Sequence, residues 1–205
     1  METRMDMRFD EDDDDDKSDE RREPFDAQMG KLFFRSRSVL ITGGIDDKSA
    51  RAAVTHLLAL AEQSDDPINV YISSPGGHVE SGDMVHDMIK FIRPTVRCIG
   101  SGWVASAGAL IFIGAERENR FCLPNTRFLL HQPSGGIFGQ VSDMMIQAEQ
   151  LRLMRERFDK LFAEATGQTP EQIAKDTARD FWLNTSQAID YGLLGKVIRS
   201  IDELG

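Results

Sequence analysis

Short β-rich runs alternate along the chain with segments of helical period, and that alternation predicts an α/β domain with parallel crossovers. Two observations carry it. SVLIT (38–42), INVYISS (68–74) and TVRCIG (95–100) are strand-like, and a helix-length segment separates each from the next. The first two also stop at Gly43-Gly44 and at Pro75-Gly76-Gly77, turn chemistry that ends a strand.

Each element follows from its residues. DDKSARAAVTHLLALAEQ reads as an amphipathic helix capped by Asp46 or Asp47, with Ala53, Leu57, Leu58 and Ala61 on its apolar face. Val70 and Ile72 share one face of the second strand. A helix over 79–92 follows and ends before Pro94. GSGWVASAGALIFIGA, after the third strand, reads as a helix or a tight turn into one. NRFCLP (119–124) and RFLLHQ (127–132) are strand-like, and PSGGIFGQ (133–140) forms a loop. One long helix spans 141–166, with Gly167 as its stop. Pro170 opens another at its first position. SQAIDYG is a short helix ended by Gly192, and KVIRSI a last strand.

Composition bounds the function. The 205 residues suffice for one domain, with 40% hydrophobic and 28% charged residues. No apolar run reaches membrane-spanning length, and the acidic start lacks the apolar stretch of a secretory signal. Residues 1–25 hold twelve acids against five bases, so most of the net charge of −10 sits there. Such a block repels itself and buries little, which predicts a disordered acidic arm over 1–26 ahead of a folded domain over 27–205. No basic face points to nucleic acid. Cys98 and Cys122 lie in apolar contexts and read as buried thiols, and the four histidines lack metal-ligand spacing. The expectation is a cytoplasmic protein without a metal or other cofactor.

Three features fall at strand ends, where open α/β sheets gather their sites. Ser74-Pro75-Gly76-Gly77 precedes a helix and offers bare N–H groups for an anion, or simply turns the chain. Ser106, in VASAG, is the one polar side chain among small neighbours. It reads either as filler in a tight helix contact or as a nucleophile with room for a substrate carbonyl. In the second case the N–H of Ala107 and the N–H of Gly77 are available as oxyanion donors. Position 104 is Val, so the pentapeptide is not the GxSxG elbow. His131 ends an apolar strand and is the candidate base; His56, His78 and His86 read as helix residues with polar neighbours. A serine nucleophile also needs an acid to orient its base. Asp180, before Phe181-Trp182, fits that role, with Asp176 as its rival.

Four blocks carry a resemblance: SPGGHVESGDMVHDMIKFIRP, GSGWVASAGALIFIGA, RFCLPNTRFLLHQPSGGIFGQVSDM and ARDFWLNTSQAIDYGLLGKV. In order and spacing they are similar to the Clp protease proteolytic subunit (ClpP) family, over roughly residues 38–200. The resemblance implies a crotonase-like fold of repeated ββα units with a protruding handle helix. It implies an ATP-dependent serine endopeptidase of protein quality control, cleaving unfolded proteins and peptides. The chamber would be a tetradecamer of two stacked heptameric rings, fed by an AAA+ unfoldase. Residue by residue, it implies Ser106 as nucleophile, His131 as base, Asp180 as acid and the N–H groups of Gly77 and Ala107 as oxyanion donors. Gln132, Gly135, Gly136 and Gln140 match the handle pattern. The chain departs from the family in three places. Ala107 stands where Met is usual, Ala178 where an acid pairs across the ring, and Asn69 where a tyrosine helps form the unfoldase docking pocket. Two alternatives remain open: a non-catalytic or weakly active ring partner of a paralogous ClpP subunit, and an acyl-CoA enzyme of the crotonase superfamily.

Overall fold

The computed structural model describes residues 25–136 and 139–204. The arm expected over 1–26 lies outside them, apart from its last two positions, which open a helix. In chain order the elements are α1 (Phe25–Arg35), β1 (Ser38–Ile45), α2 (Asp47–Gln63), β2 (Ile68–Gly77), α3 (Val79–Phe91), β3 (Val96–Ala105), α4 (Ala107–Phe112), β4 (Arg120–Cys122) and β5 (Arg127–Leu130). There follow α5 (Val141–Thr166), α6 (Pro170–Asp176), β6 (Phe181–Leu183), α7 (Thr185–Asp190) and β7 (Lys196–Val197).

The sheet runs β1-β2-β3-β4-β7, every neighbouring pair parallel. Parallel strands need crossovers, and α2 and α3 supply the first two. The strands extend further than the glycines suggest. β1 runs through Gly43-Gly44 and β2 through Gly77, because each keeps a partner there: Gly44 faces Gly76, and Ile45 faces Gly77. β3 shows the largest departure. Ile72 pairs with Gly100 but Ser74 with Val104, so two steps of β2 span four of β3. That bulge, with Gly102 at φ +66°, bends the strand. Its first half pairs with β4 and its second, Trp103–Ala105, with β5. β6 then adds to β5 antiparallel.

Helices and sheet enclose the main core, in which Leu57, Ile72, Phe112, Phe128 and Phe162 are fully buried. A smaller cluster of Ile99, Phe121, Ile198 and Leu204 lies apart from it, with Tyr71 against it. Asp46, not Asp47, caps α2, through a reciprocal pair of bonds with Ser49. The buried stripe of α2 is Ala50, Ala53, Val54, Leu57 and Leu60. Leu58 is exposed, one position off the expected face. α5 is 26 residues long, about 39 Å. Only its C-terminal part, from Phe158 to Thr166, contributes buried residues. Val141, Met145 and Ile146 at its start are exposed, so α5 projects from the body as the expected handle. The last strand shrinks to two residues before a 3-10 turn. No helix among the described residues is long and apolar enough to cross a membrane.

Candidate active site

The carboxyl ends of β1, β2 and β3 meet at one edge of the sheet, where α2, α3 and α4 begin. Ser106 occupies the turn between β3 and α4. Its N–H donates to Leu129 O at 2.9 Å, and its carbonyl accepts from Leu110 N–H at 3.0 Å. Both bonds fix the residue at φ +54°, ψ −121°. A non-glycine side chain is rare at such a φ, and a fold that enforces it holds strain. The hydroxyl makes no cap bond to α4, and Ala107 N–H is the first of that helix's unpartnered donors.

The surrounding glycines serve close approach. A Cβ on Gly76 would lie 2.5 Å from Ser106 Cβ, 2.8 Å from Ala105 O and 3.0 Å from Ala107 N. Gly82 and Gly108 face Ala107 and Ser74 at 3.1 Å. Tight packing and an open hydroxyl are therefore both present. Ser106 keeps partial exposure while Ala105 and Ala107 are buried.

The glycine pair of β2 is not a general anion cradle. Gly76 N–H donates to Ser74 Oγ at 3.0 Å, and Ser74 Oγ donates to Gly43 O at 2.6 Å. His78 N–H donates to Ile45 O at 2.8 Å. In the parallel ladder Ile45 faces Gly77 and accepts from His78 N–H, so Gly77 N–H itself points away from β1. The β2–β3 pairing has ended by then, at Ser74↔Val104.

His131 and Asp180 follow from register. Ala105 pairs with Leu129, which sets the residues after β5 beside the end of β3. Leu130 pairs antiparallel with Phe181, so His131 and Asp180 are the next opposed positions. His131 Nδ1 lies 3.1 Å from Asp180 Oδ1. A carboxylate accepts, so Nδ1 carries the proton and Nε2 is left as the basic nitrogen. The pair is not deeply buried: the side chains are 33% and 65% exposed. The Asp180 carboxylate is therefore largely open to water. A cavity of about 530 Å³ opens over His131, Gln132, Ser134, Ala178, Arg179 and Asp180.

The rivals are occupied elsewhere. Asp176 accepts from Tyr191 Oη at 2.9 Å and from Gln172 Nε2 at 2.7 Å. His86 is buried, not polar-flanked as expected. Its Nδ1 meets Leu110 O at 2.9 Å, and desolvation holds its pKa below the usual histidine value. Cys98 and Cys122 are buried free thiols. Among the described residues no group of three or more His, Cys, Asp or Glu is placed to hold a metal ion. The residue that sequence reasoning undervalued is Gly76. Its signal was the glycine doublet, but only the fold shows which of the two abuts the serine.

A parallel α/β body with a strained serine at its strand ends and a carboxylate-bound imidazole just past the adjacent strand has parts that an acyl-transfer hydrolase uses. The comparisons give that class its family. A sequence model described as Clp protease matches residues 21–201. The ATP-dependent Clp protease proteolytic subunit of Paracoccus denitrificans is 74% identical over 166 residues, which is 81% of this chain and 83% of that one. ATP-dependent Clp protease proteolytic subunit 2 of Pseudomonas aeruginosa is 56% identical, over 87% of this chain and 89% of its own. Among solved structures, ClpP1 from Listeria monocytogenes superposes with a TM-score of 0.79 at 49% identity, over 86% of this chain and 99% of that one. The chain belongs to the Clp protease family.

Proposed function

We propose that this chain is a serine endopeptidase, the proteolytic subunit of an ATP-dependent Clp protease. Ser106 Oγ attacks the scissile carbonyl. His131 Nε2 takes its proton and returns it to the leaving amine. Asp180 holds the imidazole in the required tautomer and stabilises its cation. Gly77 and Ala107 N–H groups receive the developing oxyanion. Water, activated by the same imidazole, then releases the acyl-enzyme. The observation that carries this reading is the His131–Asp180 contact beside the strand end that bears Ser106.

The substrate class is unfolded polypeptide delivered by an AAA+ unfoldase, as family membership implies. The exposed apolar start of α5, with Val141, Met145 and Ile146, supports assembly into stacked rings, since such a surface calls for cover.

The test is fluorophosphonate labelling combined with short-peptide hydrolysis and measurement of mass. Wild type is expected to label at Ser106 and to cleave, and Ser106→Ala to do neither while keeping its assembly. A folded, assembled wild type that resists the reagent would overturn the peptidase reading and favour a non-catalytic partner of a paralogous subunit. Elution as a single chain under all conditions would overturn the ring.

A further inference from the structure

The β5–β6 ladder that aligns His131 with Asp180 is three pairs long and ends at Leu130↔Phe181. Past that point a side chain takes over. Gln132 donates its Nε2–H to Ala178 O at 3.0 Å, two residues before Asp180. Its backbone N–H donates to Thr177 O at 2.9 Å. Its Oε1 accepts from Nη1 of Arg155, on α5. Arg155 is itself fixed on two sides. Nη2 donates to Ala174 O of α6 at 3.1 Å, and Nε lies 3.8 Å from Asp159 Oδ2, one turn along α5. One guanidinium therefore ties α5 and α6 to the segment after His131, and Gln132 ties that segment to the one before Asp180.

We propose that Arg155 and Gln132 act as a positioning pair, setting the approach of Asp180 to His131. The proposal rests on the triad assigned above. Residue chemistry supports it. Glutamine can accept from a guanidinium and donate to a carbonyl with one terminal group, whereas glutamate only accepts. The planar fork of arginine reaches two acceptors at fixed angles, which an ammonium does not reproduce. Asp180 is too exposed for packing alone to hold it. The first half of α5 has no buried residues either, so Arg155 is where this helix is bonded to the segment after His131.

Gln132→Glu separates positioning from simple tethering. The carboxylate keeps the bond to Arg155 and adds charge, but it faces the Ala178 carbonyl without a proton. A pair that only anchors α5 would be as strong as before, and turnover would not change. The positioning role predicts a kcat at least tenfold lower, with KM within twofold, a matching loss in fluorophosphonate labelling rate, and an unchanged melting temperature. Rates are read on protein eluting at the wild-type assembled size. Arg155→Lys, measured in the same way, should lose less than Arg155→Met, and these two decide the matter if Gln132→Glu does not assemble. Labelling and turnover within twofold of wild type would overturn the proposal. Failure of wild type itself to label would instead overturn the triad.

Discussion

The two halves of the site are built from different materials. The half that carries Ser106 is made of main chain. Its φ, its flanking hydrogen bonds and the glycine against it are set by β2, β3 and α4, whose residues there are mostly buried. The half that carries the proposed base and acid is made of side chains. His131 and Asp180 meet across water-accessible space, at the end of a short ladder. Main-chain geometry is rigid because moving it breaks many contacts at once. A hydrogen bond between partly exposed side chains is cheap to separate, since water can replace either partner and side-chain entropy opposes it. In the proposed mechanism the attacking serine is thus preformed, and the proton-handling side chains are adjustable.

The largest expected effect falls on the rigid half. In Gly76→Ala the new Cβ would sit 2.5 Å from Ser106 Cβ at a φ of +95°, and only backbone movement relieves it. That movement displaces Ser106 and Ala107 N–H together. Loss of even one oxyanion donor costs roughly 10²–10³ in rate. Peptide hydrolysis should fall by about 10³ or more, measured as kcat/KM beside a thermal melt. Near-normal activity would show that the turn yields easily, and the contrast would fail.

Asp180→Asn should cost less, roughly 10². The amide favours the wrong imidazole tautomer. Asp180 is 65% exposed, however, so water can partly replace the carboxylate. Fold and assembly should be unaffected. A loss exceeding that of Gly76→Ala would mean that the acid–base half is the more exactingly built.

Arg120 tests stability beneath the rigid half. It is 3% exposed and donates to Ala115 O at 2.7 Å and to Ala165 O at 2.8 Å, so it binds the loop after α4 to the end of α5. Burial lowers its pKa, and carbonyls, not a carboxylate, satisfy it. Arg120→Met leaves those carbonyls without their donor, at about 1–3 kcal/mol for each one that water fails to reach. Denaturation should shift by at least that much, while kcat per assembled molecule stays near wild type.

The comparison also explains what could be read without coordinates. The strand-end placement of Ser106 and His131 was legible because each lies at the end of a strand-like run and strand ends face the same edge in a parallel sheet, whereas Asp180, before Phe181-Trp182, comes beside His131 only through the β5–β6 register. The helix over 141–166 and its stop at Gly167 were legible because periodicity and a left-handed cap agree. The extension of β3 to Ala105 was not. The expected strand stops at Gly100, yet the chain runs on through Gly102, whose φ of +66° belongs to the bend that lets one strand serve two neighbours. β6 was hidden too, since its three residues pair only with β5 and alternate no pattern. Arg120 lay inside a strand-like run with no partner nearby in sequence; its acceptors include residues 45 positions away.

The smallest expected effect is the most direct probe of the contrast, because it reads opening without catalysis. Cys98 on β3 and Cys122 on β4 are buried, and desolvation pushes their thiols up to about 12 and about 11. Since the thiolate is the reactive form, neither should react with iodoacetamide in the native assembly at pH 8. A cysteine introduced at exposed Ser134, beside His131, should react at the rate of a free thiol. The same burial fixes a sign for alkaline stability. Between the unfolded value of 9.0 and the folded value of about 12 the native Cys98 retains a proton that the unfolded chain releases, so unfolding is favoured as pH rises through that window. Cys98→Ala should flatten the decline and leave stability below pH 9 changed only by its packing loss. Rapid alkylation of Cys98 in the folded assembly would show β3 opening as readily as the loop, and the division between a fixed nucleophile and a mobile base would no longer stand.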